Sequence, residues 1–194
     1  ETLLSSDTTV GITKSMGLTM ISFAECFARL NPSMIIVLGD RYEAFAAASA
    51  ASVAKIPIAH LHGGETTEGA FDEAFRHSIT KMSYLHFTST EEYKKRVIQL
   101  GEHPSRVFND GAIGIENIKK LPLLSKEEIE IDINFNLDKP YAMITFHPVT
   151  LENCTSEDQF KGLLMALDKF KNLKIIFTKA NSDTDGRIIN YLID

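Results

Sequence analysis

Apolar residues recur at helical spacing from about Val10 to Arg29, with Ile12, Met16, Met20, Phe23 and Phe27 on one side. Pro32 ends that run, and Met34–Leu38 is a short unbroken apolar stretch, as a strand buried on both faces requires. Gly39-Asp40 stops it. The alternation then repeats: an Ala-rich helical run from about Tyr42 to Lys55, a strand at Ile56–Leu61, a Gly-containing loop, a helix near Asp72 to Met82 and a strand at Tyr84–Thr88. Thr88-Ser89-Thr90-Glu91-Glu92 reads as a helix start, with a hydroxyl cap and acids in the first turn. That helix runs to about Leu100 and stops at Gly101, and Arg106–Phe108 is a further short strand. Leu121 to Lys139 is polar, charged and Pro-punctuated, and reads as a connection to a second domain. Beyond it lie a strand at Tyr141–Phe146, a helix at Glu157–Phe170 and a strand at Lys174–Thr178. Alternating helices and apolar strands predict an α/β fold with parallel sheet covered on both faces. The expected boundaries are a domain over 1–120, a linker over 121–139 and the start of a second domain over 140–194.

The composition narrows the chemistry. The 194 residues are 44% apolar, enough to build a core, and carry a net charge of −6. That charge argues against nucleic acid as a partner, which needs clustered Lys and Arg, yet leaves room for a small anion held by a few donors. Cys26 and Cys154 fit no metal-ligand spacing and read as free thiols of a reducing cytoplasm. No stretch approaches the roughly 18 apolar residues that cross a bilayer, and no G-x-G-x-x-G follows a strand, so a dinucleotide cofactor is not expected.

Position carries the functional argument. Ligands of open parallel sheets bind beyond the carboxyl ends of the strands. Those ends hold Gly39-Asp40-Arg41, His60-Leu61-His62-Gly63-Gly64-Glu65, His147-Pro148 and Lys179-Ala180-Asn181. Asp40 is either a helix cap or a base or substrate ligand facing the crevice; the adjacent Arg41, a guanidinium suited to phosphate, favours the second. The glycine pair before Glu65 permits unusual backbone angles and a close approach of ligand to chain. Asp72, Glu73, Arg76 and His77 are spaced either for surface ion pairs on a helix or for display into the crevice. His86, inside a strand, reads as a satisfied core histidine, and His60 and His103 have weak claims.

Gly39-Asp40-Arg41-Tyr42-Glu43, His60-Leu61-His62-Gly63-Gly64-Glu65, Asp72-Glu73 with Arg76-His77-Ser78-Ile79-Thr80-Lys81-Met82, and Phe146-His147-Pro148-Val149-Thr150 together resemble the bacterial hydrolysing UDP-N-acetylglucosamine 2-epimerases. The blocks occur in the family's order, from about Met34 to Asn190. The resemblance implies two Rossmann-like domains of GT-B type, both incomplete here, a UDP-sugar substrate, no cofactor or metal, and a homo-oligomer at full length. It implies that UDP is eliminated after proton abstraction at carbon 2 and that the glycal is then hydrated. Asp40 resembles a family catalytic carboxylate. Glu65, Asp72 and Glu73 are further candidate acids or bases, as is His62, whose position is Glu in animal and non-hydrolysing relatives. Arg41 and His147 resemble phosphate contacts, Asn181 a nucleotide contact, and Arg76 and His77 residues that order the catalytic loop.

The chain departs from the family in lacking the opening strand with its Gly-Ser/Thr-Arg turn and the Gly-Asn-Ser-Ser-type loop downstream. The expectation is therefore an inactive piece of an epimerase. Asp110 stands where the family usually has an apolar residue, a costly exchange if buried. Two sugars fit the resemblance equally, UDP-N-acetylglucosamine for sialic acid synthesis and UDP-N,N'-diacetylbacillosamine for legionaminic acid synthesis. Two other classes compete: a metal-dependent hydrolase, since a strand would put His60 and His62 on one face near Asp40 and His77, and a GT-B glycosyltransferase or binder.

Overall fold

The computed structural model describes residues 8–149, 155–181 and 185–194. The chain forms two compact units, Glu1–Lys119 and Lys120–Asp194. In the first, strands β1 (Ile35–Leu38), β2 (Ile58–Leu61), β3 (Leu85–Thr88) and β4 (Val107–Asn109) lie side by side in that order, all parallel. Helix α1 (Thr9–Leu30) precedes them, α2 (Tyr42–Val53), α3 (Asp72–Met82) and α4 (Glu91–Gln99) connect them, and α5 (Ile113–Lys120) follows.

The strand order decides what covers the sheet. Right-handed crossovers that all step in one direction leave every connecting helix on the same face. Val37 and Ile58 on that face pack with Phe27, Ala48, Ala50, Ala51 and Ile79. On the other face Ile36 and Leu38 are 72% and 61% exposed. The expectation of a sheet covered on both faces is thus corrected: among the described residues one face of β1 stays open, because no crossover steps the other way.

Local chemistry sets the ends. The Thr8 side chain caps α1, and Asn31 closes it in the left-handed region (φ 44°) just ahead of Pro32. Thr90 caps α4 by accepting from the Tyr93 N–H. Two helices lay outside the sequence expectation. Helix α5 and helix α6 (Lys126–Asp132), the latter opened by a Ser125–Glu128 capping box, are 8 and 7 residues long and bury no residue.

In the second unit β5 (Tyr141–Ile144) and β6 (Lys174–Phe177) pair in parallel, with α7 (Ser156–Leu167) and α8 (Gly186–Ile193) completing the described elements. Phe160 of α7 is fully buried between the rings of Phe146 and Phe177. No helix among the described residues is long and apolar enough to cross a membrane.

Two buried histidines brace the first unit. His86 donates from Nε2 to Glu102 Oε2 (3.1 Å), and Lys81 donates to the other oxygen of Glu102, but among the described residues the His86 Nδ1 has no partner. It is therefore a core histidine only half satisfied, not the satisfied one expected. His60 is fully satisfied: its Nε2 donates to the Gly39 carbonyl (2.8 Å) and its Nδ1 accepts from the Thr80 hydroxyl (3.1 Å), joining β1, β2 and α3. Burial pushes the His60 pKa down to about 4. The unfolded chain binds this proton more readily, so the contribution is complete above pH 6.5 and is lost as pH falls toward 4. At about 1.36 kcal/mol per pKa unit this amounts to about 3 kcal/mol. Urea unfolding of wild type and His60→Gln across pH 7 to 4 should show that much convergence between the two; parallel pH dependences would contradict it.

Candidate functional site

Gly39 (φ 73°) turns the chain out of β1 and delivers Asp40 to the carboxyl end of the sheet. Asp40 is not the cap of α2. Arg41 occupies that position, without a side-chain cap bond. The Asp40 carboxylate instead accepts from Arg76 of α3, whose side chain is only 6% exposed. Arg76 also donates to Glu73 Oε2 (2.7 Å), Thr67 Oγ1 (2.8 Å) and the Glu65 carbonyl (2.9 Å). One buried cation thus ties the end of β1, the loop after β2 and the first turns of α3. Glu73 holds the same loop by accepting from the Thr67 N–H (2.8 Å), and its second oxygen meets His77 Nε2 (3.1 Å). The bland expectation for Glu73 and His77, a helical ion pair, is present, but it is one edge of this larger cluster. Asp72 heads α3 beside Glu73 as a first-turn acid.

The cluster is rich in negative charge. Burial pushes the Asp40 carboxyl above the usual range, Arg76 pulls it back, and Glu65 and Glu73 push it up again. A carboxyl group whose pKa is raised by burial beside a fixed cation holds a proton more readily than an ordinary surface carboxylate, as an acid–base group requires.

Glu65 lies on the other side of the loop. Its Oε1 accepts from His62 Nδ1 (2.9 Å) and from Ser89 Oγ (2.6 Å). His62 sits past the end of β2 in the left-handed region (φ 64°), a conformation costing a non-glycine residue about 1 kcal/mol. It does not continue the strand alternation, and both nitrogens of His60 are taken by Gly39 and Thr80. The same-face pair required by a metal hydrolase is not formed. The glycines also differ from expectation. A Cβ on Gly63 would lie 2.9 Å from His60 Nδ1, and one on Gly64 (φ 80°) 2.5 Å from the Tyr93 carbonyl. Both admit neighbouring protein rather than open a path to the backbone.

Beside the loop, a cavity of about 380 Å³ opens on the uncovered sheet face, lined by Ile36, Leu61, His62, Phe87, Asp110 and Ile113 among others. Asp110 is exposed at this cavity, so the feared penalty of a buried acid does not arise. Arg41 reaches Glu43 (3.1 and 3.2 Å). His147 and Asn181 belong to the second unit, both exposed, where the chain leaves the adjacent strands β5 and β6. The structure therefore gathers Asp40, His62, Glu65, Glu73, Arg76 and His77 through one loop and α3 of the first unit.

Sequence reasoning missed Thr67, Ser89, Arg96 and Asn190. Ser89 stands in a string read as capping, although Thr90 is the cap. Arg96 donates to the Gly64 carbonyl and Thr66 Oγ1, and Asn190 clamps both backbone groups of Ala180 just before Asn181.

Parallel α/β units with acids, imidazoles and a guanidinium gathered beyond the strand ends define a Rossmann-like protein of GT-B type. Within that class the chain belongs to the UDP-N-acetylglucosamine 2-epimerase family, whose profile matches residues 1–194. It is 46% identical over 191 residues to a GDP/UDP-N,N'-diacetylbacillosamine 2-epimerase (hydrolyzing) of Campylobacter jejuni, covering 98% of this chain and 50% of that protein. It is 50% identical over 179 residues to the polysialic acid biosynthesis protein P7 of Escherichia coli, covering 92% and 46%. The chain thus spans about half the length of these relatives. In fold it matches the Methanocaldococcus jannaschii UDP-GlcNAc 2-epimerase solved with UDP-GlcNAc and UDP, at a TM-score of 0.74 and 19% identity over 94% of this chain and 52% of that one.

Removing the guanidinium should expose its importance. Arg76→Met leaves Asp40 and Glu73 uncompensated and should destabilise the first unit by about 3 kcal/mol at pH 7. The loss should shrink in acid as Asp40 takes up a proton. Urea titrations at pH 7 and 5 check both points, and a loss below about 1 kcal/mol would mark Arg76 as an ordinary surface cation.

Proposed function

We propose that this sequence forms part of a hydrolysing 2-epimerase that converts UDP-N-acetylglucosamine to N-acetylmannosamine and UDP. The observation that carries the reading is the Asp40–Arg76–Glu73 cluster: a carboxyl with a raised pKa, fixed at a strand end and flanked by further acids. Elimination needs a base to take the proton at carbon 2 while the C1–O bond breaks, its electron pair leaving with the diphosphate. Hydration of the resulting double bond then needs water at carbon 1 and a proton delivered to carbon 2 from the opposite side. Asp40, His62, Asp72 and Glu73 are the groups proposed for these proton transfers, with Glu65 beside them as the hydrogen-bond partner of His62. Arg76 and His77 order the loop that carries them. Arg41 and His147 are proposed for the diphosphate and Asn181 for the nucleotide, since donors at the leaving group stabilise its developing charge.

A second reading changes only the sugar. The 46% identity to a protein named for diacetylbacillosamine favours UDP-N,N'-diacetylbacillosamine. Either substrate would be met in the cytoplasm. Because the chain spans about half of its relatives, residues 1–120 and 140–194 are proposed as parts of two domains that alone do not turn over.

Incubation with each UDP-sugar in deuterium oxide separates these readings. A protein of the relatives' full length carrying this sequence should release UDP and a 2-epimeric sugar deuterated at carbon 2, whereas the 194-residue chain should release no UDP above background. In the long form Asp40→Asn should lower kcat by roughly 10²–10⁴-fold. Sugar transfer to an acceptor without deuterium at carbon 2 would point to a glycosyltransferase instead.

A further inference from the structure

We propose that Ser89 and Glu65 are positioning residues that lock His62 in one tautomer, with Nε2 presented to the cavity as the proton acceptor. This rests on the epimerase reading and names the acid–base group of the same site that faces the sheet cavity.

The geometry carries the assignment. Glu65 Oε1 receives two donors, Ser89 Oγ at 2.6 Å and His62 Nδ1 at 2.9 Å. A carboxylate only accepts, so the proton on the neutral imidazole lies on Nδ1. The opposite nitrogen tells the same story. The Ile113 N–H points at His62 Nε2 from 3.5 Å, the outer limit of a hydrogen bond, and an N–H can approach that nitrogen only if it holds a lone pair. The side chain of His62 lines the cavity with Leu61, Phe87 and Ile113.

The backbone supports the same purpose. His62 occupies the left-handed region, which turns its ring away from the strand alternation and toward Glu65. The turn is held from three sides: the His62 N–H donates to the Phe87 carbonyl (2.8 Å), Arg96 grips the Gly64 carbonyl, and Arg76 grips the Glu65 carbonyl (2.9 Å). A strained residue fixed this firmly, with a carboxylate on one ring nitrogen and a cavity beyond the other, is arranged as a carboxylate–imidazole pair. Ser89 donates to the same carboxylate oxygen that meets the ring, and so fixes which oxygen faces His62. Glu65 therefore acts through His62 rather than on the substrate.

Nitrogen-15 NMR on the histidine-labelled chain tests this without any turnover. The His62 signals are assigned by their loss in His62→Gln, and spectra are taken where the imidazole is neutral. Wild type should show Nδ1 protonated and Nε2 bare. Glu65→Ala should move the population to the Nε2–H form that a free imidazole prefers. Ser89→Ala should leave a mixture, and Ser89→Thr should restore the wild-type pattern. His60, whose tautomer is set by Gly39 and Thr80, reports whether each variant remains folded. A wild-type His62 protonated on Nε2, or a tautomer indifferent to Glu65→Ala in a chain with an unchanged His60, overturns the proposal. In the full-length form Ser89→Ala should lower kcat roughly 10-fold or more and leave KM little changed. If the tautomer is as stated and the long form releases no UDP, the epimerase reading fails while this assignment stands.

Discussion

One buried guanidinium organises the carboxyl end of this sheet. Arg76 is almost wholly out of water, and a cation there is tolerable only if acceptors replace its hydration. The structure supplies them from separate stretches of chain: Asp40 after β1, Thr67 and the Glu65 carbonyl in the loop after β2, and Glu73 one turn back in α3. Each acceptor satisfies Arg76, and Arg76 in turn fixes where each lies. The positions of Asp40 and Glu65 are thus consequences of a single desolvated charge. The raised pKa of Asp40 follows as well, because burial outweighs the one cation shared among several acids.

The sheet makes that convergence possible. With β1 to β4 in sequential order, the turns leaving β1, β2 and β3 emerge at one end, and α3 packs so that its first turns face the loop before it. The same order explains the uncovered face. A chain that steps in one direction builds one helical layer, and residues such as Ile36 and Leu38 are apolar on a side that nothing described here covers. An apolar strand therefore signals a face meant for burial, not one that this stretch buries itself.

Much of this was legible in the sequence because strands and helices here have clear periods. The strands at 35–38, 58–61 and 85–88 and the helix at 72–82 stand out from apolar runs and breakers. The polar residues at strand ends were legible for a topological reason that needs no coordinates. What stayed hidden has a common physical cause. Helices α5 and α6 have only 8 and 7 residues, too few to establish a helical period, and α6 lies in a charged stretch that reads as a connection. Ser89 and Arg96 act across distances of 24 and 32 residues, and nothing local in their surroundings announces the partner. His147 and Asn181 were legible as strand-end residues, but their relation to Asp40 is a matter between two units and not of sequence order.

The glycine pair shows how a correct location can carry the wrong cause. Two glycines at a strand end suggest room for a ligand, yet a side chain on either would strike His60, Thr80 or the Tyr93 carbonyl. The glycines are there because α3 and α4 close down on the loop. That closeness has a chemical result, since a loop pressed between two helices cannot relax the left-handed turn at His62. An energetic cost of about 1 kcal/mol at one residue is small against the packing around it, so it can persist as long as the glycines keep the helices near. The requirement for glycine at 63 and 64 and the orientation of the imidazole at 62 are then one constraint seen from two sides.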